Sequence, residues 1–297
     1  MKDIMIRATG ANDQIRVFVA QTTHTVEEAR KRHSLLPTSA DALGRVLTAT
    51  ALMGMTLKHE DDTVTLRVMG DGPLGAIVAV GNNRSEVRGY VQNPNIYMPA
   101  SQHGKYAFAN AVGMGALHVT MDMGLKEPYT GSIPLVSGEI SGDISEYYMS
   151  SEQTPSACGL AVMVDRDGTV SQAGGFLIQL LPGTDEQVAI QLEKNLEAMG
   201  GVSGLLDEGT TPQEMLKTLL KGFDWAIHRE QPVRYQCNCS REKLEELLRS
   251  LGRGELEDIL ETQGQAEVSC HFCGDVYYFL KDDLEQLLEE LDKGETH

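Results

Sequence analysis

Four cysteines stand as two close pairs near the end of the chain, Cys237-Asn238-Cys239 and Cys270-His271-Phe272-Cys273, with thirty residues between the pairs. Each pair can supply half of a tetrahedral sulfur cage for one Zn²⁺ ion, and the intervening segment can bring the halves together. Each pair is also close enough to oxidise onto itself. The same four sulfurs, Cys237, Cys239, Cys270 and Cys273, therefore have two chemistries open to them: ligation of one metal ion, or two local disulfides. An ordinary structural site more often uses two Cys-x-x-Cys knuckles, whereas Cys237-Asn238-Cys239 is tighter. A disulfide closed within it would be strained, and strained disulfides are the labile ones. Oxidation would remove the ligands and with them the roughly 10 to 16 kcal/mol that structural zinc contributes to a small fold. Spacing alone leaves open whether the site is such a switch or a structural zinc. His271 lies between two ligands, but four sulfurs complete the shell, so it is expected to face solvent. Cys158 stands in an apolar run and reads as a buried small hydrophobe.

Composition narrows the classes of function. The formal charge is -18, and residues 231–297 hold half of it, with 16 acidic and seven basic side chains. Such a surface repels a polyanion, which weakens the usual inference from zinc-binding cysteines to nucleic acid. No stretch reaches the roughly 18 uncharged apolar residues of a membrane span, and Met1-Lys2-Asp3-Ile4 opens no apolar signal core. With five cysteines, four of them clustered, the pattern fits a reducing compartment, and a cytoplasmic location is expected.

The elements that must position the cysteines form an α+β chain in three parts. Residues 1–182 read as a mixed α/β-sheet domain. Ile15, Val17 and Val19 alternate as a strand after a Gly10-Ala11-Asn12-Asp13 turn. Thr38-Ser39-Ala40-Asp41 has the form of a capping box opening a helix to about Leu57. Further strands are expected over Val64–Met69, Ala76–Val80, Val87–Val91 and Leu117–Met121, then a helix near Glu139–Ser151. A hairpin from Cys158 to Ile178, turning at Asp165-Arg166-Asp167-Gly168, ends the block. Gly70-Asp71-Gly72-Pro73-Leu74-Gly75 matches a dinucleotide fingerprint, but a strand follows it, so a hairpin turn is expected; Gly113-Met114-Gly115 also reads as a tight turn. The thirteen methionines read as gap-filling core residues.

Residues 183–231 read as a helical linker without strand signal. Its helices over Asp185–Met199 and from Thr211-Pro212-Gln213-Glu214 onward must dock on the preceding domain to bury their apolar stripes, and Trp225 reads either as an anchor of this linker or as an ordinary core residue. Residues 232–297 form the small cysteine-bearing domain. Ser240 caps a helix carrying Leu244, Leu247, Leu248 and Leu251; a short helix ends at Gly264; the Cys270 knuckle, a Val276–Phe279 strand and a last helix follow. About 67 residues is marginal for a fold without a metal or disulfide staple.

The whole chain resembles the redox-regulated 33 kDa chaperonin family, the heat-shock holdase activated by oxidation. The specific cues are the Cys-x-Cys and Cys-x-x-Cys-Gly pairs. Ser151-Glu152-Gln153-Thr154-Pro155-Ser156-Ala157, the run Gly174–Gly183 and Ser137-Gly138-Glu139-Ile140 support them. Ser141-Gly142-Asp143-Ile144 departs from the family's Ala-Glu-Asp-Leu. The resemblance implies an ATP-independent chaperone, not an enzyme, whose four cysteines bind one Zn²⁺ when reduced. On oxidation Cys237 would pair with Cys239 and Cys270 with Cys273. Zinc loss would then unfold the C-terminal domain and loosen the linker, exposing apolar surface that captures unfolded clients and favours a homodimer, with no nucleic acid or membrane involved. Two other classes are set against it: a thiol-disulfide oxidoreductase using Cys237 and Cys239, which a zinc ion would block, and a constitutive binding module with a merely structural zinc.

Overall fold

The computed structural model describes residues 2–99 and 108–294. Alternating apolar residues lay down β1 (Ile4–Gly10) and β2 (Ile15–Gln21), followed by α1 (Thr23–His33) and α2 (Pro37–Gly54). Next come β3 (Thr63–Gly70), β4 (Ala76–Asn82), β5 (Glu86–Val91), a short α3 (Phe108–Val112), β6 (Gly115–Asp122) and β7 (Tyr129–Pro134). Then follow α4 (Ser141–Ser150), the hairpin of β8 (Ser156–Val164) and β9 (Val170–Leu180), helices α5 (Glu186–Met199), α6 (Val202–Asp207) and α7 (Pro212–Leu219), and strands β10 (Trp225–Pro232) and β11 (Arg234–Tyr235). These belong to one unit, Met1–Gln236; Cys237–His297 forms a second.

The first unit has a five-stranded sheet in the order β10-β1-β2-β9-β8 and a six-stranded sheet in the order β11-β5-β4-β3-β6-β7. Between them runs α2, which is apolar nearly all round and buried along almost its whole length, as a helix with no polar face must be. Gly44 lets it close on the neighbouring chain: a Cβ there would stand 2.6 Å from Val26 Cγ1. The expected capping box of α2 is absent. Pro37 takes the first helical turn, the Thr38 hydroxyl accepts from the Met98 N–H at 2.8 Å, and Asp41 pairs with Arg45 at 2.7 Å. Tertiary partners thus claim both side chains that a local reading assigns to the helix start. The Gly70–Gly75 segment is the β3–β4 hairpin turn, as expected.

The other face of the five-stranded sheet presents Ile6, Ile15, Val17, Val19, Phe176 and Ile178, and α5 to α7 cover it with Leu192, Val202, Leu206, Met215, Leu216 and Leu219. The Thr211–Glu214 capping box of α7 forms as read, with the Glu214 N–H donating to Thr211 Oγ1 at 3.3 Å and the Thr211 N–H to Glu214 Oε2 at 2.8 Å. In this apolar layer sits Asn195, 6% exposed, whose amide donates to the carbonyls of Leu219 at 2.9 Å and Lys221 at 2.8 Å.

The segment read as strandless contains β10. It pairs antiparallel with β1 from Ile4↔Pro232 to Gly10↔Trp225, and β11 then joins β5 of the other sheet in parallel. The strand is an exposed edge, so its sequence Ile227-His228-Arg229-Glu230-Gln231 shows no apolar alternation, and ladder bonds alone define it. Trp225 opens the strand and is 37% exposed.

Long-range carboxylates lock α1. Its own first turn has no side-chain cap; Asp3, just before β1, accepts instead from the N–H groups of His24 at 3.0 Å and Thr25 at 2.6 Å. Glu27 accepts from Arg30 through Nε at 2.7 Å and Nη2 at 2.8 Å, and from the Val170 N–H at 3.0 Å. The Arg30 hydrogen bonds hold the Glu27 carboxyl well below the usual range, at about 2. A depressed carboxyl stabilises the fold above its unfolded pKa and loses that contribution as pH falls through the folded value. Glu27→Gln is therefore expected to cost about 3 kcal/mol at pH 7, and the difference from wild type in urea unfolding should vanish between about pH 4.5 and pH 2.

Candidate metal centre

In the second unit, α8 (Arg241–Ser250) and α9 (Arg253–Gln263) precede the hairpin of β12 (Gln265–Ser269) and β13 (Val276–Leu280), and α10 (Lys281–Gly294) closes it. Leu244, Leu248, Leu256, Ala266, Phe279, Leu284, Leu287 and Leu288 form its small core. The first cysteine pair lies just before α8. Ser240 caps that helix, its hydroxyl accepting from the Lys243 N–H at 3.4 Å, and Lys243 Nζ reaches back to the Asn238 carbonyl at 2.8 Å. The second pair occupies the hairpin loop, closed by the Ser269↔Val276 rung. Inside the loop the Cys270 N–H donates to the Asp275 carbonyl at 2.9 Å, and the Gly274 N–H to the Cys270 carbonyl at 2.8 Å. Gly274 has φ of 74°, the left-handed conformation that only glycine adopts freely, so the knuckle needs glycine at this position.

Arg241 fixes one half of the site to the other. Its guanidinium stacks on Phe279 at 4.5 Å, Nη1 donates to the Tyr278 carbonyl at 2.9 Å, and Nη2 pairs with Asp283 at 2.8 Å. The start of α8, and with it Cys239, is thereby clamped onto β13. The four sulfurs meet: Cys237 and Cys270 lie 3.7 Å apart, Cys239 and Cys273 lie 3.4 Å apart, and all four fall within 4.8 Å of one another. A tetrahedron of sulfurs at the zinc–thiolate distance has edges of about 3.8 Å. The donor set and its spacing fit one tetrahedral thiophilic ion. All four are free thiols, as is Cys158.

Their environments differ. Burial pushes the thiols of Cys237 and Cys273 up. Burial also acts upward on Cys239, but hydrogen bonds from Tyr277 and the neighbouring thiols outweigh it, and its pKa falls below the ordinary value. Cys239 thus carries charge more readily than Cys237 or Cys273. Tyr277, whose hydroxyl sits 3.4 Å from Cys239 Sγ, is pushed up to about 12, first by that hydrogen bond and then by desolvation. Sequence reasoning missed Tyr277. The signal was available in strand alternation, which places Tyr277 on the same side as the buried Phe279, next to the knuckle. His271 is exposed, as expected. Cys158 belongs to the first unit, half-buried on β8 against the α2 core, and burial holds its thiol above the ordinary range.

The family model for the Hsp33 protein matches residues 3–280, a span that reaches both cysteine pairs. The chain belongs to the Hsp33 family. Among its relatives is the 33 kDa chaperonin of Desulforamulus reducens, 49% identical over 293 residues and covering 99% of each chain. Another is that of Geobacillus kaustophilus, 45% identical, with 97% of this chain and 98% of the relative covered. The crystal structure of the 33 kDa chaperonin (heat shock protein 33 homolog) from Thermotoga maritima superposes with a TM-score of 0.91 at 35% identity, covering 98% of this chain and 99% of that one. The α+β architecture with a C-terminal four-cysteine group is therefore the Hsp33 fold, as the motifs lead one to expect. Among the described residues no helix is long and apolar enough to cross a membrane.

The Gly274 conformation gives a direct check on the knuckle. Gly274→Ala is expected to destabilise the second unit by about 1 to 2 kcal/mol, seen as an earlier unfolding transition of its helices in denaturant while the first unit is unchanged.

Proposed function

We propose that this Hsp33-family chain is an ATP-independent chaperone of the cytoplasm, a holdase that works without catalytic turnover and whose activity is switched by oxidation of the four-cysteine site. The observation that carries the reading is the convergence of Cys237, Cys239, Cys270 and Cys273 within 4.8 Å in a unit with a small core. In the reduced protein the four thiolates hold one Zn²⁺; bound there, the ion supplies fold stability, not reaction chemistry. On oxidation each thiolate pair, Cys237 with Cys239 and Cys270 with Cys273, gives up two electrons to one peroxide, which takes two protons from solvent. One S–S bond forms per pair, and each peroxide consumed becomes two waters. Four ligands become none, and the second unit loses its staple.

The reading assigns three functional parts: residues 1–182 as the client-binding and dimerising platform, 183–231 as the metastable linker, and 232–297 as the sensor. The linker's layer supports that role. Helices α5 to α7 screen Ile6, Val17, Val19, Phe176 and Ile178, so their loosening would uncover an apolar face for unfolded or partly unfolded clients and for a second copy of the chain. The glycines at 200 and 201, both at positive φ, leave α5 and α6 weakly joined.

The test follows zinc release with a chromogenic chelator and suppression of client aggregation in the same peroxide-treated sample. Both are expected to rise together, with two disulfides per chain by mass spectrometry of the peptides. Oxidation that releases zinc without any gain in aggregation suppression would reduce the site to a structural zinc, and turnover of a disulfide substrate by zinc-loaded protein would favour an oxidoreductase. A second expectation concerns Tyr277. Tyr277→Phe removes the hydroxyl on Cys239 and should weaken zinc retention about tenfold in chelator competition, with faster release under peroxide and unchanged secondary structure of the first unit.

A further inference from the structure

Three arginines from three adjacent strands gather on the face of the five-stranded sheet that carries Met5 and Phe18. Arg7 on β1 stands directly opposite Arg229 on β10, and Arg16 on β2 is diagonal to Arg7, because Arg7 pairs with Phe18 and Arg16 lies two residues before it. The Arg16 guanidinium lies over the Phe18 ring at 5.6 Å, which brings it toward Arg7. Like charges facing each other across strands destabilise a sheet, and burial makes unpaired charge more costly. Burial and the nearby Arg7 charge both lower the Arg16 pKa.

The chain has 43 acidic side chains, yet among the described residues none of these three arginines has an ion-pair partner. The acceptors they do meet are neutral amides. Gln179 Oε1 takes Arg16 at 2.6 and 3.0 Å, and Asn83 Oδ1 takes Arg229. The Arg7 Nε is buried with no hydrogen-bond partner. Tyr148, a side chain 4% exposed and electrostatically coupled to Arg16, has its hydroxyl beside that of Thr56, which itself donates to the Met53 carbonyl at 2.7 Å. Glu152 also acts on Tyr148, but its carboxylate is engaged by the Tyr147 hydroxyl at 2.7 Å. A buried guanidinium donor left without an acceptor, beside two like charges, calls for an occupant.

We infer that Arg7, Arg16, Arg229 and Tyr148 form a binding site for a tetrahedral oxyanion of the phosphate class. Guanidinium forks match the spacing of phosphate oxygens and stay charged when half-buried, and the tyrosine hydroxyl adds a neutral donor. An anion there converts three repelling charges into a bridge between β10, β1 and β2. It would thereby tie down β10, the edge strand that β11 and then Cys237 follow in sequence. The inference rests on the first unit alone and stands or falls apart from the redox reading.

The test uses the full chain, reduced and zinc-loaded, titrated with inorganic phosphate, and separately with glycerol 3-phosphate, against chloride at matched ionic strength. The readouts are the unfolding midpoint and the arginine Nε–Hε NMR resonances. A saturable shift of the Arg7 resonance, with a midpoint raised by phosphate and not by chloride, is the expected result. A response to phosphate alone identifies the free anion as the ligand, and a response to both identifies a site open to phosphomonoesters. Arg7→Met should weaken binding about tenfold or more while leaving the midpoint in chloride no lower than wild type, because it removes a repelling charge; an arginine with a purely structural role would lower that midpoint. Tyr148→Phe, which keeps the ring, should weaken phosphate binding several-fold and decides the matter if Arg7→Met does not fold. Equal midpoints in phosphate and chloride with an unmoved Arg7 resonance would overturn the inference and leave water as the partner of these donors.

Discussion

In the proposed reading, four sulfurs within 4.8 Å of one another, loaded with one ion, hold the second unit together. Its helices α8, α9 and α10 are short and highly charged, and the core they share with the β12–β13 hairpin is built mainly from leucines. Such a core sits near the balance point between hydrophobic gain and chain entropy. The sulfur cluster joins the start of α8 to a hairpin loop about thirty residues away, the kind of closure that a small core achieves poorly. Arg241 works in the same direction, through its stack on Phe279 and its pair with Asp283, but an exposed ion pair contributes little by itself. Stability in this unit is therefore concentrated in four atoms whose chemistry changes with redox state.

The helical layer of the first unit is held differently. Helices α5 to α7 rest on the five-stranded sheet through aliphatic contacts, and one buried amide, Asn195, satisfies two carbonyls at the end of α7. Hydrophobic contact is non-directional and falls away gradually, whereas an amide that loses both carbonyls leaves buried polar groups unpaired. Separation of α5 from α7 is thus disfavoured at first and then abrupt. That is the behaviour wanted of a cover that is either on or off. By contrast α2, buried between the two sheets, has no comparable route to exposure, so in the proposed switch the sheets beneath the helices would persist if the helices loosened.

What could be read from the sequence followed how local the determining interactions are. The cysteine cluster was legible because metal ligation depends on residue type and spacing. The Thr211–Glu214 box was legible because both partners lie in one turn. Thr38–Asp41 carries a similar local signature and fails, since Pro37 takes the first turn and the Met98 backbone and Arg45 claim its side chains. Strand β10 left no trace because an exposed edge strand has no core face to impose alternation; only its pairing with β1 shows it. Tyr277 was hidden inside an apolar run, where its hydroxyl matters only once Cys239 is folded against it.

The chain leaves the first unit through its shortest strand. β11 spans two residues: its ladder bonds include the Arg234 N–H to the Ser85 carbonyl at 3.1 Å and the Gln236 N–H to the Val87 carbonyl at 2.8 Å, and the Tyr235 side chain adds contacts to the Gly89 carbonyl at 2.9 Å, His33 at 3.1 Å and the Arg32 guanidinium. The next residue is Cys237. In the proposed switch, closing the Cys237–Cys239 ring bends the backbone at the residue that follows the last of these bonds. So short a ladder has little cooperativity with which to resist, and once it opens, β10 is the next segment toward the helices. The order of elements along the chain then matches the order in which they would be released: sulfur pair, two-residue strand, edge strand, helical cover. In that reading a signal confined to two thiols reaches an apolar face along the covalent chain, each released element loosening the next.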